Sequence, residues 1–168
     1  MQMAKKQQQK QEDGDGKKLI AGNKKAFHDF YILEQIEAGM VLKGSEVKSL
    51  RNGKISLEEA YARVQPSGEV LLHGVTIPIY ENATYANHIP DRPRRLLLHR
   101  REIEKLVEKS QMERLTIVPL EIYWRRGFAK VLLGTAKGKK NYDKRQVLRE
   151  RDDKKAIQRA MRGRDSDD

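Results

Sequence analysis

The chain has no cysteine, which excludes disulfides, thiolate nucleophiles and zinc–thiolate centres. No stretch approaches the ~20 consecutive apolar residues that a membrane span needs. The opening residues, MQMAKKQQQKQEDGDGKK, lack the apolar core of a secretory signal. The order of residues also lacks the usual catalytic signatures. There is no Gly-x-Ser-x-Gly, and His28, His73, His88 and His99 fall at no metal-binding interval. Gly134-Thr-Ala-Lys-Gly138-Lys-Lys tempts a phosphate-loop reading and fails it. Its glycines are one residue too close, and Lys140 stands where Ser or Thr should hold magnesium. Glu34, Glu37 and Glu46 are near enough in sequence for a carboxylate pair, but solvation is the better reading of them. The expectation is a cytoplasmic protein, not an enzyme, with no cofactor, no metal and no membrane partner.

Acidic residues are also in the minority, 24 against 35 basic, for a net charge of +11 and a pI near 9.8. The excess is concentrated. From Lys137 to Arg164 stand twelve basic residues and four acidic ones. Lysines at this density repel one another and cannot pack a core. They gain most by meeting a polyanion, where each neutralised phosphate releases counterions. A tail that is merely solvated is the plain alternative. The length of 168 residues suits one domain plus tails. Residues 1–18 read as a disordered Gln/Lys-rich extension, 19–137 as the folded body, and 138–168 as a basic tail, disordered when free and helical on binding.

Within the body, Ala26 to Leu42 is read as a strand from its aromatic and β-branched residues, with Gly39 marking a bulge or turn and a helix as the competitor because the apolar residues do not alternate cleanly. Ser45 to Arg51 is read as a short helix capped by Ser45 and stopped by Asn52-Gly53. Lys43, Lys48, Arg51 and Lys54 give that region a basic edge. Glu59–Gln65 and Val70–Ile79 form a hairpin around Pro66-Ser-Gly68. Tyr80 to Arg95 is a long loop. His99 to Met112 is an amphipathic helix with Ile103, Leu106 and Val107 inward. Arg114 to Trp124 pairs with Phe128 to Ala136 across Arg125-Arg126-Gly127, and Pro119 argues for an edge position or a bulge. Asp143 and Gln146 have capping-box spacing, so the tail helix is expected to begin there. Short strands with inserted helices point to a mainly β fold, an OB-like antiparallel barrel, which removes exposed strand edges.

Basic OB-like barrels commonly bind nucleic acid. Tyr80, Tyr85, Tyr123, Trp124, Phe128 and Tyr142 interleave with basic residues and could stack on unpaired bases. The competing reading makes most of them core, Phe128 above all. A generic basic OB-type protein of the translation apparatus and an RNA-processing enzyme using carboxylates both remain as rivals.

A set of short words then carries a resemblance: Asn23-Lys-Lys-Ala-Phe-His-Asp29, Glu37-Ala-Gly39, Gly44-Ser-Glu-Val-Lys-Ser-Leu-Arg51, Ala60-Tyr-Ala-Arg63, Arg95-Leu-Leu-Leu-His99, Val118-Pro-Leu120 and Ala136-Lys-Gly-Lys-Lys-Asn-Tyr-Asp-Lys-Arg145. In this order, over about residues 19–160, the chain closely resembles the SmpB (SsrA-binding protein) family. The resemblance implies an OB-like barrel that grips the tRNA-like part of transfer-messenger RNA. It implies delivery of that RNA to ribosomes stalled on a messenger without a stop codon. The tail would sit in the small-subunit decoding centre and empty messenger channel during trans-translation. It further implies a monomer, associated with elongation factor Tu only indirectly, through the charged RNA. On the barrel, Asn23, Lys24, Lys25, Glu37, Lys48, Leu97 and His99 become candidate RNA contacts. In the tail the candidates are Lys137, Lys139, Lys140, Tyr142, Asp143, Lys144 and Arg145. Glu37 would accept hydrogen bonds from base donors or a 2′-hydroxyl. His99 stands where some members have asparagine.

Overall fold

Alternating apolar residues do build strands, and their pairings form one antiparallel sheet. The computed structural model describes residues 16–83 and 87–164. Its strands are β1 (Lys17–Gly22), β2 (Phe30–Met40), β3 (Tyr61–Val64), β4 (Val70–His73), β5 (Arg94–Leu97), β6 (Thr116–Arg125) and β7 (Phe128–Gly138). Between them lie α1 (Lys24–Asp29), α2 (Gly44–Arg51) and α3 (Arg100–Gln111), and α4 (Asn141–Arg164) follows β7. The pairing order is β1-β6-β3-β4-β5-β2-β7, and β7 also pairs with β6. The path from β6 therefore returns to β6, the connectivity that a barrel requires. Inside the ring a core gathers Leu50, Leu72, Val75, Ile77, Leu106, Ile117, Ile122, Val131 and Leu133.

Bulges explain a second, smaller core. Register shifts occur between Ile32 and Glu34 in β2 and between Pro119 and Glu121 in β6. An extra residue reverses which side chains face inward. Ile117 and Ile122 thus serve the main core, while Val118 and Leu120 join Ala26, Ala136, Phe30 and Ile32 in the other. Gly134 is needed at this join, because a Cβ there would meet Leu120 Cδ1 at 3.0 Å and Ile32 Cγ2 at 3.1 Å. Of the two readings of Pro119 the bulge holds and the edge does not, since β6 pairs with β1, β3 and β7. The bulge expected at Gly39 lies instead at Ile32/Glu34.

Several expectations are revised. Lys17 and Lys18, placed in the extension, belong to β1 and pair with Arg125 and Trp124; residues 1–15 lie outside the described residues, as does Tyr85. The strand read from Ala26 begins at Phe30, because Asn23 Oδ1 accepts from Ala26 N at 3.0 Å and starts α1. Ser45 does not cap α2, which already starts at Gly44. The Lys43 N–H instead donates to Glu46 Oε2 at 2.7 Å, and Ser45 Oγ meets His88 Nδ1 at 2.9 Å. Val70–Ile79 is a strand only to His73. Phe128 is not core: it is 70% exposed. The tail helix begins at Asn141, which puts Asp143 in its first turn rather than at its cap.

Candidate nucleic-acid interface

Three candidate residues from two distant stretches of the chain, Glu37 in one and Leu97 and His99 in the other, meet in one concavity. A cavity of about 560 Å³ is lined by Gln35, Ile36, Glu37 and Gly39 of β2, Leu97 and Leu98, His99 and Glu102 at the start of α3, and Lys130 of β7. Register brings them together: Gly39 pairs with both Leu97 and Lys130. A Cβ at Gly39 would lie 3.4 Å from Leu97 Cβ. Leu97 is 54% exposed, an apolar side chain left for a partner to cover. His99 stands immediately before α3 with its ring exposed, and its N–H donates to Glu102 Oε2 at 2.8 Å.

Glu37 is held from the far side of β7. Tyr123 Oη donates to Glu37 Oε2, and Arg125 Nη1 donates to Oε2 at 3.0 Å and to Oε1 at 3.3 Å. The Tyr123 hydroxyl, joined by Arg125 and by the charge of Lys130, holds the carboxyl below its ordinary 4.5 against the opposing effect of burial. Burial and the carboxylate in turn push Tyr123 up. Glu37 is thus an ionised acceptor at neutral pH.

The basic candidates divide between exposed groups and groups already in use. Lys24 and Lys25 are exposed on α1, and Lys25 pairs with Glu59. Lys48 is exposed on α2 with its Nζ 5.6 Å from the Tyr80 ring. Asn23, expected to face phosphates, is a correction. It is 5% exposed, and its amide donates to Leu57 O at 3.1 Å and Pro119 O at 3.0 Å. Both amide hydrogens are then spent on joining β1 to the ring.

At the other end of β2, Tyr31 pairs with Lys137 and Phe30 with Gly138. Lys137 and Lys140 are exposed. Lys139 is partly used: its N–H donates to Asp29 O at 2.8 Å, and its Nζ donates to Phe27 O at 3.1 Å and lies 4.9 Å from the Tyr31 ring centroid. Lys144 pairs with Asp29 at 3.4 Å, where the hydrogen bond from His28 and the charge of Lys144 hold the carboxyl low. Tyr142 is 77% exposed, and Arg145 points to solvent. Asp143, in the first turn of α4, is favourably placed for the helix dipole.

One constellation was missed by sequence reasoning. Glu46 and Arg94 are both fully buried, and Arg94 Nε donates to Glu46 Oε1 at 3.1 Å. Arg92 forks onto the same carboxylate, its Nε reaching Oε1 at 2.9 Å. Burial alone would raise Glu46, but hydrogen bonds from Arg92 and the Lys43 N–H, with the charge of Arg94, bring it below its ordinary value. Arg94 also donates to Val75 O and, at 2.7 Å, to Pro90 O. This cluster fastens the long loop to α2 and supports the approach of β5 to the cavity. The only sequence signal for it is charge where the pattern otherwise turns apolar.

No group of three or more His, Cys, Asp or Glu among the described residues could hold a metal, and no described helix is long and apolar enough to cross a membrane. A closed antiparallel sheet with a polar-and-apolar cavity at one end and a strongly basic helix at the other defines a basic β-module of the nucleic-acid-binding class. The family model described as "SmpB protein" matches residues 20–163, and the chain belongs to that family. It is similar to SsrA-binding proteins from a Geobacillus species, 52% identical over 90% of this chain and 96% of the relative, and from Frankia casuarinae, 52% identical over 87% and 91%. Among solved structures, a chain described as "tmRNA-SmpB: a journey to the center of the bacterial ribosome" matches with a TM-score of 0.62 and 47% identity. That match covers 77% of this chain and 94% of the other.

Proposed function

We propose that this protein is a non-enzymatic adaptor that binds the tRNA-like part of transfer-messenger RNA, delivers it to stalled ribosomes and serves trans-translation in the cytoplasm. Family membership and the ribosome-bound relative support the role. The observation that carries the division of labour is the length of the β2–β7 pair. Glu37 and Gly39 lie toward one end of β2, and Phe30, beside Gly138, lies at the other. At roughly 3.3 Å per residue the two sites stand about 25 Å apart along the strand. One end offers a shaped cavity, and the other releases a cationic helix.

In this reading Glu37, Leu97 and His99 contact the RNA held by the body, with Lys24, Lys25 and Lys48 on its phosphates. Lys137, Lys139, Lys140, Tyr142, Asp143, Lys144 and Arg145 act at the ribosomal decoding centre and messenger channel. A helix this polar is marginal by itself. Its order in solution depends on its partner, which takes the ordering cost from binding energy. The test is competition: labelled transfer-messenger RNA bound to the full chain is challenged with ordinary tRNA. Retention of the labelled RNA is expected. Equal displacement by tRNA contradicts this reading and favours a generic basic barrel.

A further inference from the structure

We propose that Tyr123 and Arg125 are positioning residues for Glu37, aiming its carboxylate across β7 and leaving one oxygen, Oε1, to accept a hydrogen bond from RNA. The inference rests on reading Glu37 as an RNA contact. Tyr123 is 3% exposed, so its hydroxyl is not itself presented to a ligand. A buried tyrosine hydroxyl requires an acceptor, and here that acceptor is Glu37 Oε2. The Tyr123 ring is fixed in turn. Its backbone pairs with Leu19 on one side and Lys130 on the other, and Lys17 Nζ lies 4.4 Å from the ring centroid.

The two donors act unequally on the carboxylate. Oε2 receives Tyr123 and the closer contact of Arg125, which occupy both of its lone pairs. Among the described residues, Oε1 is reached by the longer 3.3 Å contact from Arg125. The glutamate is therefore suited to a single donor of RNA, such as a 2′-hydroxyl or an exocyclic amine. It is not suited to the paired N–H edge of guanine, which needs both oxygens. The guanidinium also offsets the repulsion that a bare carboxylate would meet from nearby phosphates. Fixing the side chain before binding removes part of the ordering cost that a free glutamate would incur.

The test is a double-mutant cycle on the full chain, with equilibrium affinity for transfer-messenger RNA as the readout. Tyr123→Phe keeps the ring and removes the donor; Arg125→Gln is the second variant, should the first disturb folding. The loss of one positioning hydrogen bond is expected to weaken binding about 2- to 10-fold, and to add nothing when Glu37→Ala is already present. A carbon-13 titration of the Glu37 carboxyl should show its midpoint rising in Tyr123→Phe, a change that general loosening of the sheet would not single out. Unchanged affinity in both variants, while Glu37→Ala binds poorly, overturns the proposal. An equal loss with and without Glu37→Ala also overturns it. Should Glu37→Ala itself bind like the parent, the reading of Glu37 as a contact fails and carries the proposal with it.

Discussion

The ring and α4 are both rich in charge, and they hold it in opposite ways. In and around the ring, Glu46 of α2 and Arg94 of β5 are fully buried and joined to Arg92, while Glu37 is tied to Tyr123 and Arg125. From Leu148 to Met161 every residue of α4 is exposed, and the helix meets the body through Lys144 and Asp29 at its start. Charge that is buried and paired shapes a surface. Charge left in water remains available to a polyanion. Charge held in these two ways gives a body with a shaped cavity and an arm whose cations stay in water.

Substitutions should separate the two regimes most sharply at the buried cluster. Arg94→Ala leaves Glu46 short of a buried partner and should cost about 3–5 kcal/mol of stability, measured by urea unfolding. Arg149→Ala in α4 should stay within about 0.5 kcal/mol. A large loss at Arg149 or none at Arg94 would erase the contrast.

Acid should attack the ring through the same groups. Glu46 and Glu37 are both held below their ordinary 4.5. The stability they contribute is present above that value and is lost as pH falls through their lower folded values. Thermal melts across this window should decline with acid, and Glu37→Gln should remove part of the slope.

Contacts at the cavity come next in size. Glu37→Ala or Leu97→Ala should weaken RNA binding by about 1–3 kcal/mol without moving the melting temperature as far as Arg94→Ala does. Apart from the Arg149 control, the smallest effect belongs to the tie between the regions. Lys144→Ala removes a partly exposed ion pair and should change stability by about 1 kcal/mol or less. A larger change would mean that α4 is part of the folded unit.

Much of this was legible in the chain. The β3–β4 hairpin around Pro66-Ser-Gly68, α2 ending at Asn52-Gly53, and α3 with Leu106 inward all follow from local pattern. Pro119 marked an edge or a bulge, because proline cannot donate to the ladder, and pairing on both sides of β6 decides for the bulge. What escaped was non-local. β1 exists through its pairing with β6, a hundred residues away, so Lys17 and Lys18 looked like part of a polar extension. Asn23 reads as a polar surface residue until Leu57 and Pro119 supply its carbonyl partners. Tyr123 and Arg125 were legible as an aromatic and a turn residue, but not as holders of Glu37, because the bulges in β2 and β6 decide which side chains share a face. The candidate cavity was half visible: Glu37, Gly39, Leu97 and His99 lie in the family words, whereas Lys130 and Ile36 come to it through register.

The most direct test compares the full chain with a version ending at Lys140, measuring affinity for transfer-messenger RNA and peptide tagging on stalled ribosomes in the same buffer. A body that holds RNA by itself predicts nearly unchanged affinity and no tagging in the shortened protein. Loss of most of the affinity would contradict the separation of the two tasks.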